Sequence, residues 1–466
     1  MQLKKGDQAE LTVEKIIFGG KRMAKYGDVV VFLDEGMVGD VVLVEFSGFK
    51  KKFYEARVVE VVRPSEKRVE PACKHFEKCG GCQLQYMSYD DQLKLKEGFV
   101  RDCFERIGGF EGTNILPIIA NEKEYYYRNK MEFSFGYDEA MNFTLGLHVP
   151  GRRFDILDVE ECFLESEVAV DILRATREVM KKLGWEPFKY SDGTGFLKAL
   201  YIREGERTGE RLVNLVTSQF LPENFDEGLE EFIEIMKGFG GDITSLYWTE
   251  VISKRGERKR RIENLLFGKP FLTENMVVTD ESGEAHKLSF DILPQAFFQV
   301  NTMQAEVLYG ETLKAARVKK SDFVMDLFCG TGTIGLFMAK FVDKVVGVEL
   351  NEESVKSARE NALKNGIENI EFVVGDAKRV AAEVSGHPEV IIVDPPRAGL
   401  APELVEIIND FSPARVVYVS CNPATLARDC REFLKYGYKV NYVQPVDMFP
   451  QTYHVENVVL IEKVGA

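Results

Sequence analysis

The sequence predicts an α/β protein in three parts: a small β-barrel over residues 1–62, a central α+β region over 63–295 and a Rossmann-like α/β domain over 296–466. Three observations predict it. From Ser321 onward, short apolar strands alternate with helix-length intervals, opening on "FVMDLFC" and the glycine loop "GTGTIG". The first sixty or so residues show only short strand patterns between glycine turns. The stretch between mixes strands and helices, with neither period dominating.

In chain order, "AELTVEKIIFGG", "DVVVFL", "GDVVLVEFSG" and "FYEARVVEVV" give four or five short strands, a size of barrel that often binds oligonucleotides. "VVRPSEKR" reads as a linker. In the middle part, a helical stretch near 90–120 is expected to pack on the third part. There, "KVVGVEL", "IEFVVGDA", "EVIIVDPPRAG", "RVVYVSCNP" and "NVVLIEKV" follow the glycine loop as further strands. Strands alternating with helices imply a parallel sheet covered on both faces, with ligands at the carboxyl ends of the strands.

The 466 residues begin with a polar stretch, "MQLKKGDQAELTVEK", and no apolar run approaches the ~18 residues a membrane-spanning helix needs. A soluble, cytoplasmic monomer is expected. Eight unevenly spaced cysteines in such a protein point to metal binding or catalysis before disulfides. The formal charge of −15 argues mildly against nucleic acid, yet base collects in "FKKK" (49–52) and "SKRGERKRR" (253–261) while acid concentrates in "PENFDEGLEEFIEIM" (222–236).

"DLFCGTG" (326–332) lacks the lysine of a phosphate-gripping loop, and Glu349 ends the next strand, 23 residues after Asp326. A carboxylate there can accept hydrogen bonds from both ribose hydroxyls. Asp376 ends the third strand, where it can meet an adenine edge. This set describes an S-adenosylmethionine pocket better than a dinucleotide one. "DPPR" (394–397) ends the fourth strand, with Arg397 where amine methyltransferases of related motif carry an aromatic.

Cys421 lies between the strand ending at Ser420 and a helix opened by Pro423. Free cysteine is most often inert filler, but a helix N-terminus favours the thiolate and makes Cys421 a candidate nucleophile. Amine methylation needs no such nucleophile. Carbon methylation of uracil does, because addition of a thiolate at C6 makes C5 nucleophilic and a base must then take the C5 proton. Glu456, just before the last strand and on the sheet edge of Cys421, is the candidate base. His454 reads as structural.

"CKHFEKCGGCQ" sets Cys73, Cys79 and Cys82 in one tight loop, and Cys162 can complete a four-thiolate site for zinc or an iron–sulfur cluster. Cys103 is the rival fourth ligand, but it shares a helical stripe with Leu95, Phe99 and Ile107 and reads as core. "EYYYRNKMEFSFG" (124–136) interleaves aromatics with Arg128 and Lys130, a composition suited either to stacking bases and holding phosphates or to an edge strand.

"FFQVN" (297–301), "DLFCGTG", "VDPPRAG", "VSCNP" and "FPQTYHVENV", in that order, closely resemble the RNA (uracil-5-)-methyltransferase family, of the type acting on 23S ribosomal RNA, and the N-terminal barrel resembles its TRAM domain. The resemblance implies Cys421 as nucleophile and Glu456 as proton acceptor. It implies that Gln299, Phe328, Glu349, Asp376 and Asp394 line the cofactor and target-base pocket. Thr333, expected in the same pocket, stands where many members carry asparagine. The cysteine set is implied to hold a [4Fe-4S] cluster, with zinc as the fallback. Arg128, Asn129, Lys130 and Phe297 are expected to contact RNA. Transfer RNA as substrate, or a non-catalytic RNA-binding or ribosome-assembly role, are the alternatives, and the presence of both Cys421 and Glu456 speaks against the last.

Overall fold

A computed structural model describes the chain except residues 1–3, 254, 255, 257, 258, 377–379, 381–383, 385 and 466, and the Arg153 side chain. Part of the basic stretch 253–261 lies outside the described residues. Alternating burial folds β1 (Gln8–Thr12), β2 (Lys15–Ile16), β3 (Arg22–Tyr26), β4 (Val29–Leu33), β5 (Val41–Lys50) and β6 (Phe53–Arg63) into one sheet in the order β1-β5-β6-β4-β3-β2. Its core is Leu11, Val31, Val42, Val44, Phe46 and Tyr54. The segment after it is fixed by Asp40, whose fully buried carboxylate accepts from Met37 N, Ser65 N and both Nε and Nη2 of Arg68.

The central sheet has the order β13-β12-β11-β10-β7-β8-β9. It is built from β7 (Lys130–Tyr137), β8 (Phe143–Val149), β9 (Arg152–Asp158), β10 (Leu197–Glu204), β11 (Arg211–Ser218), β12 (Ser245–Ile252) and β13 (Arg260–Gly268). Three helices accompany this half: α1 (Tyr89–Cys103), α2 (Glu167–Leu183) and α3 (Phe225–Lys237). Helices α2 and α3 cover one face, burying Phe133, Leu200, Ile202, Met180 and Phe232 together. A hairpin, β14 (Leu272–Thr279) and β15 (Ala285–Ile292), packs Leu272, Met276 and Phe290 into the core of the catalytic sheet.

That third sheet has the order β18-β17-β16-β19-β20-β22-β21. Its strands are β16 (Phe323–Leu327), β17 (Lys344–Glu349), β18 (Ile370–Val374), β19 (Val390–Val393), β20 (Arg415–Ser420), β21 (Tyr438–Val446) and β22 (Glu456–Lys463). The helices are α4 (Thr302–Ala316), α5 (Thr333–Met338), α6 (Glu352–Lys364), α7 (Pro402–Phe411) and α8 (Pro423–Leu434). One expectation is corrected here. The sheet is not wholly parallel: β22 runs antiparallel to both β20 and β21, because β21 and β22 are joined by residues 447–455 with no crossover helix between them.

Helix α1 packs on this catalytic sheet, with Val100, Cys103 and Phe104 in a cluster that includes Val346, Ile391, Tyr418 and Val459. Cys103 is core, but Ile107 is 44% exposed. A π-helical turn over Phe104–Gly108 shifts the stripe so that Phe104 takes the inward place. Lys96 on α1 and Asp447 form an ion pair at 2.6 Å with neither side chain exposed. Burial pushes the Lys96 ammonium down and the Asp447 carboxylate opposes it. Lys96→Met strands that carboxylate, so the midpoint of urea denaturation is expected to fall by about 3–5 kcal/mol of stability. The double variant with Asp447→Leu should recover part of the loss.

Candidate active site

Residues that the sequence spreads over more than three hundred positions meet in one cavity of about 1220 Å³ between the central sheet and the strand ends of the catalytic sheet. The glycine loop forms one wall. Phe328 leaves β16 in a left-handed conformation, φ 65°, and Gly332 follows at φ 80°, where a Cβ would stand 2.6 Å from Phe372. Glu349 staples the loop by accepting from Gly330 N at 3.2 Å and Asn351 N at 2.8 Å. Asp326 accepts from Gly335 N through Oδ2, while its buried Oδ1 has no partner.

The reactive side is built by strand register. Ser420 pairs with Asn457 across β20 and β22, so the next step sets Cys421 beside Glu456. Asn422 caps α8 by accepting from Ala424 N and Thr425 N, and its Nδ2 holds Arg397 O at 2.9 Å. This ties the cysteine turn to the "DPPR" loop. Asp394, Arg397 and His454 complete this end of the cavity.

Electrostatics here correct a second expectation. Cys421 is not biased toward thiolate: burial, then the Glu456 carboxylate, push its thiol up to about 11, against a smaller pull from Arg397. The helix end is outweighed. Burial, with Asp394 nearby, raises Glu456 to about 8, and burial raises Asp394 to about 7. Asp326 rises to about 8 by burial and by Asp394. His454 falls to about 4 through burial and the cations Arg397, Lys96 and Arg128, and is neutral at pH 7.

Of the residues expected from sequence, Gln299, Phe328, Thr333, Glu349, Asp394, Cys421, Glu456, Arg128, Lys130 and Phe297 all line this cavity. Phe297 is 66% exposed, an open stacking surface. Thr333 has its hydroxyl 3.5 Å from that of Thr331. Asp376 is exposed after β18 and does not line the cavity. Asn129 does not meet the cavity either: it is buried and donates Nδ2 to Gln299 O at 3.0 Å and Thr302 Oγ1 at 2.8 Å, so it pins the "FFQVN" segment from behind. Tyr127 is likewise structural, its hydroxyl bonded to Pro450 O.

Sequence reasoning missed Asp326, Tyr309 and Arg203 as lining residues. Asp326 carried a signal, as the acid that closes an apolar strand before the glycine loop. Tyr309 and Arg203 carried none, since each reaches the cavity only through long-range packing.

Cys73, Cys79, Cys82 and Cys162 are gathered near the outer end of the central sheet, close enough that the other three thiols bear on Cys82. Gly81 fits against Cys79, donating its N–H to Sγ at 3.3 Å. The four soft donors suit zinc or an iron–sulfur cluster. Among the described residues, no three of these sulfurs lie within 4.8 Å of one another, whereas a tetrahedral zinc site would hold its sulfurs about 3.8 Å apart.

A mixed sheet with a glycine loop, a carboxylate ending the second strand and a cavity at its strand ends is the fold of an S-adenosylmethionine-dependent methyltransferase. A family model described as tRNA (Uracil-5-)-methyltransferase matches residues 250–464. A Clostridium tetani protein named as an uncharacterized RNA methyltransferase is 37% identical over 98% of both chains. One from Caldanaerobacter subterraneus is 35% identical over 98% of this chain and 99% of its own. Among solved structures, the Pyrococcus abyssi tRNA (uracil-54, C5)-methyltransferase in complex with S-adenosyl-L-homocysteine superposes with a TM-score of 0.74 at 28% identity, covering 97% of this chain and 100% of that one. The chain belongs to the RNA (uracil-5-)-methyltransferase family, and it is an RNA methyltransferase.

The thiol titrates in a range where Glu456 is already ionised, so removing that charge lowers the Cys421 midpoint. In peptide-resolved alkylation with iodoacetamide, the Cys421 rate should rise toward pH 11, and in Glu456→Gln the midpoint should move to lower pH. An unmoved midpoint would mean the two groups are not neighbours.

Proposed function

We propose that the protein methylates C5 of a uridine in RNA through a transient bond between Cys421 Sγ and uracil C6, and that its substrate is large-subunit ribosomal RNA. The observation that carries the chemistry is the juxtaposition of Cys421 and Glu456 by strand register. S-adenosylmethionine supplies the electrophilic methyl group. Glu349 and the loop from Phe328 to Gly332 hold the cofactor, and Asp394 and Phe297 orient the target base.

Cys421 gives its proton to solvent water and its sulfur adds to C6, moving an electron pair onto C5 and the O4 enolate. C5 then forms its bond to the methyl carbon as the carbon–sulfur bond of the donor breaks. Glu456 takes the proton from C5, and the returning electron pair re-forms the C5–C6 double bond and expels the Cys421 thiolate. With Glu456 raised to about 8, its basic form gains population from pH 7 to 9, so the release step speeds up over that range. The uridine must leave its stack to reach Cys421, which costs a few kcal/mol and favours a loop or single-stranded site.

Cys73, Cys79, Cys82 and Cys162 hold a [4Fe-4S] cluster in this reading. The four soft sulfur donors gathered in one place, and the resemblance of the cysteine loop, support it. Ribosomal RNA is favoured by the resemblance of the barrel and cysteine loop. Transfer RNA is the second reading, favoured by the Pyrococcus abyssi neighbour, whose name states a tRNA substrate. Mapping 5-methyluridine in ribosomal and transfer RNA from cells with and without the protein decides between them.

Cys421→Ala is expected to keep cofactor affinity and lose all adduct with 5-fluorouridine RNA, read as a gel-shifted covalent band. Glu456→Gln should instead accumulate a methylated adduct on ordinary uridine RNA. Release without Glu456 would remove it from the mechanism. Anaerobically purified protein should show iron and sulfide with thiolate-to-iron absorption that Cys79→Ser abolishes; stoichiometric zinc would overturn the cluster.

A further inference from the structure

The segment that delivers Glu456 is held from outside its own sheet. Residues 447–455 leave β21 and return as β22, and their buried polar groups are met mostly by the first third of the chain. Lys96 and Tyr89 hold Asp447, at 2.6 and 2.9 Å. Gln451 carries the densest set of contacts. It is 1% exposed and takes a left-handed backbone, φ 68°, which residues other than glycine adopt only at a cost.

Four hydrogen bonds hold it there. Gln451 O accepts from Gln83 N at 2.8 Å and Leu84 N at 3.0 Å. Gln451 N donates to Gln92 Oε1 at 2.9 Å, and Gln92 Nε2 donates to Gln451 Oε1 at 2.9 Å. Gln92, fully buried on α1, also donates to Leu84 O and Met87 O. Gln83 is the residue after Cys82, and its own Nε2 donates to Gly80 O inside the cysteine loop. Cys82 packs with Phe76, Leu84 and Tyr453.

One residue of backbone therefore separates Cys82 of the cysteine site from the group bonded to the Gln451 carbonyl, and four residues, 452–455, lie between Gln451 and Glu456. The carbonyl of Gln451 takes two donors from the cysteine segment, so that segment has to keep its shape for the left-handed turn to persist. Downstream, Thr452 Oγ1 donates to Phe449 O at 2.8 Å and accepts from His454 N at 3.2 Å, making the run to Glu456 short and stiff.

We propose that Gln92 and Gln451 form a positioning clasp through which the shape of the cysteine loop sets the place of Glu456. The clasp touches neither substrate nor cofactor. It rests on the reading of Glu456 as the base, and it makes the four-cysteine site a support for proton removal as well as a local staple.

The test uses the full chain and amide hydrogen exchange, which reports local opening without turnover. Gln92→Leu, the volume-conserving Gln92→Met and, separately, Cys79→Ser are each expected to speed exchange across residues 449–456 by roughly tenfold. Combining Cys79→Ser with either Gln92 variant should add little, because both act on one contact. Exchange that rises in 73–86 but stays unchanged in 449–456 in Cys79→Ser overturns the proposal, as does full additivity. If Cys79→Ser fails to fold, anaerobic chelation of the wild-type protein followed by the same exchange measurement takes its place.

A second measurement reads the chemistry. The Gln92 variants should form the 5-fluorouridine adduct at close to the wild-type rate, since that step takes no proton from C5, yet hold the methylated adduct on ordinary uridine RNA several times longer. Equal slowing of both steps marks a merely structural role. If the wild-type protein forms no adduct at all, the uracil-C5 reading fails while the exchange result still decides the clasp.

Discussion

The site depends on one register. Ser420 opposite Asn457 on antiparallel strands brings the end of β20 to the start of β22. Had β22 run parallel to its neighbours, its first residue would have lain at the far edge of the sheet, a full strand length from Cys421. Reversal is possible because residues 447–455 turn back without a crossover helix. It is sustained because that turn is anchored elsewhere, by the buried Lys96–Asp447 pair and by Gln92. Cys421 and Glu456 are thus neighbours through backbone hydrogen bonds.

Burial has a chemical consequence here. Asp326, Asp394, Glu456 and Cys421 sit among apolar strands, and each is pushed toward its neutral, protonated form. The Glu456 carboxylate adds to burial in holding the Cys421 thiol neutral, and Asp394 adds to burial in holding Glu456 neutral. A cysteine masked in this way is protected from adventitious oxidation, since susceptibility follows thiolate character.

The legible parts of the molecule were those written in contiguous residues. The glycine loop, the "DPPR" and "VSCNP" turns and the cysteine loop each announce a local backbone shape, and the structure brings the glycine loop, "DPPR" and Cys421 to one cavity. What sequence could not give was direction and environment. Nothing in "FPQTYHVENV" states that the strand beginning at Glu456 runs backwards, and nothing around Cys421 states that burial and two acids outweigh a helix end. Asn129 shows the converse: flanked by Arg128 and Lys130, it reads in sequence as part of a contact surface, but the backbone just before β7 turns it inward to Gln299 O and Thr302.

Net charge misleads for a similar reason. A chain of −15 still presents a cationic wall where it matters, because the strand pairing of Lys130 with Arg203 places two cations on the cavity face of the central sheet. Arg203 is 2% exposed, with Nη2 on Ala296 O and with Nε and Nη1 unpartnered. Among the described residues no acid pairs with it, and Glu132, the acid that bears on it, is taken by Lys130 at 2.6 Å. Exposed Arg397 and half-buried Arg128 border the same cavity, while Glu456 and Asp326 lie deep in it. The cations stand on the wall, while burial holds the acids of the floor toward their neutral forms, so this charge pattern draws phosphates to the wall and leaves the floor to uncharged groups.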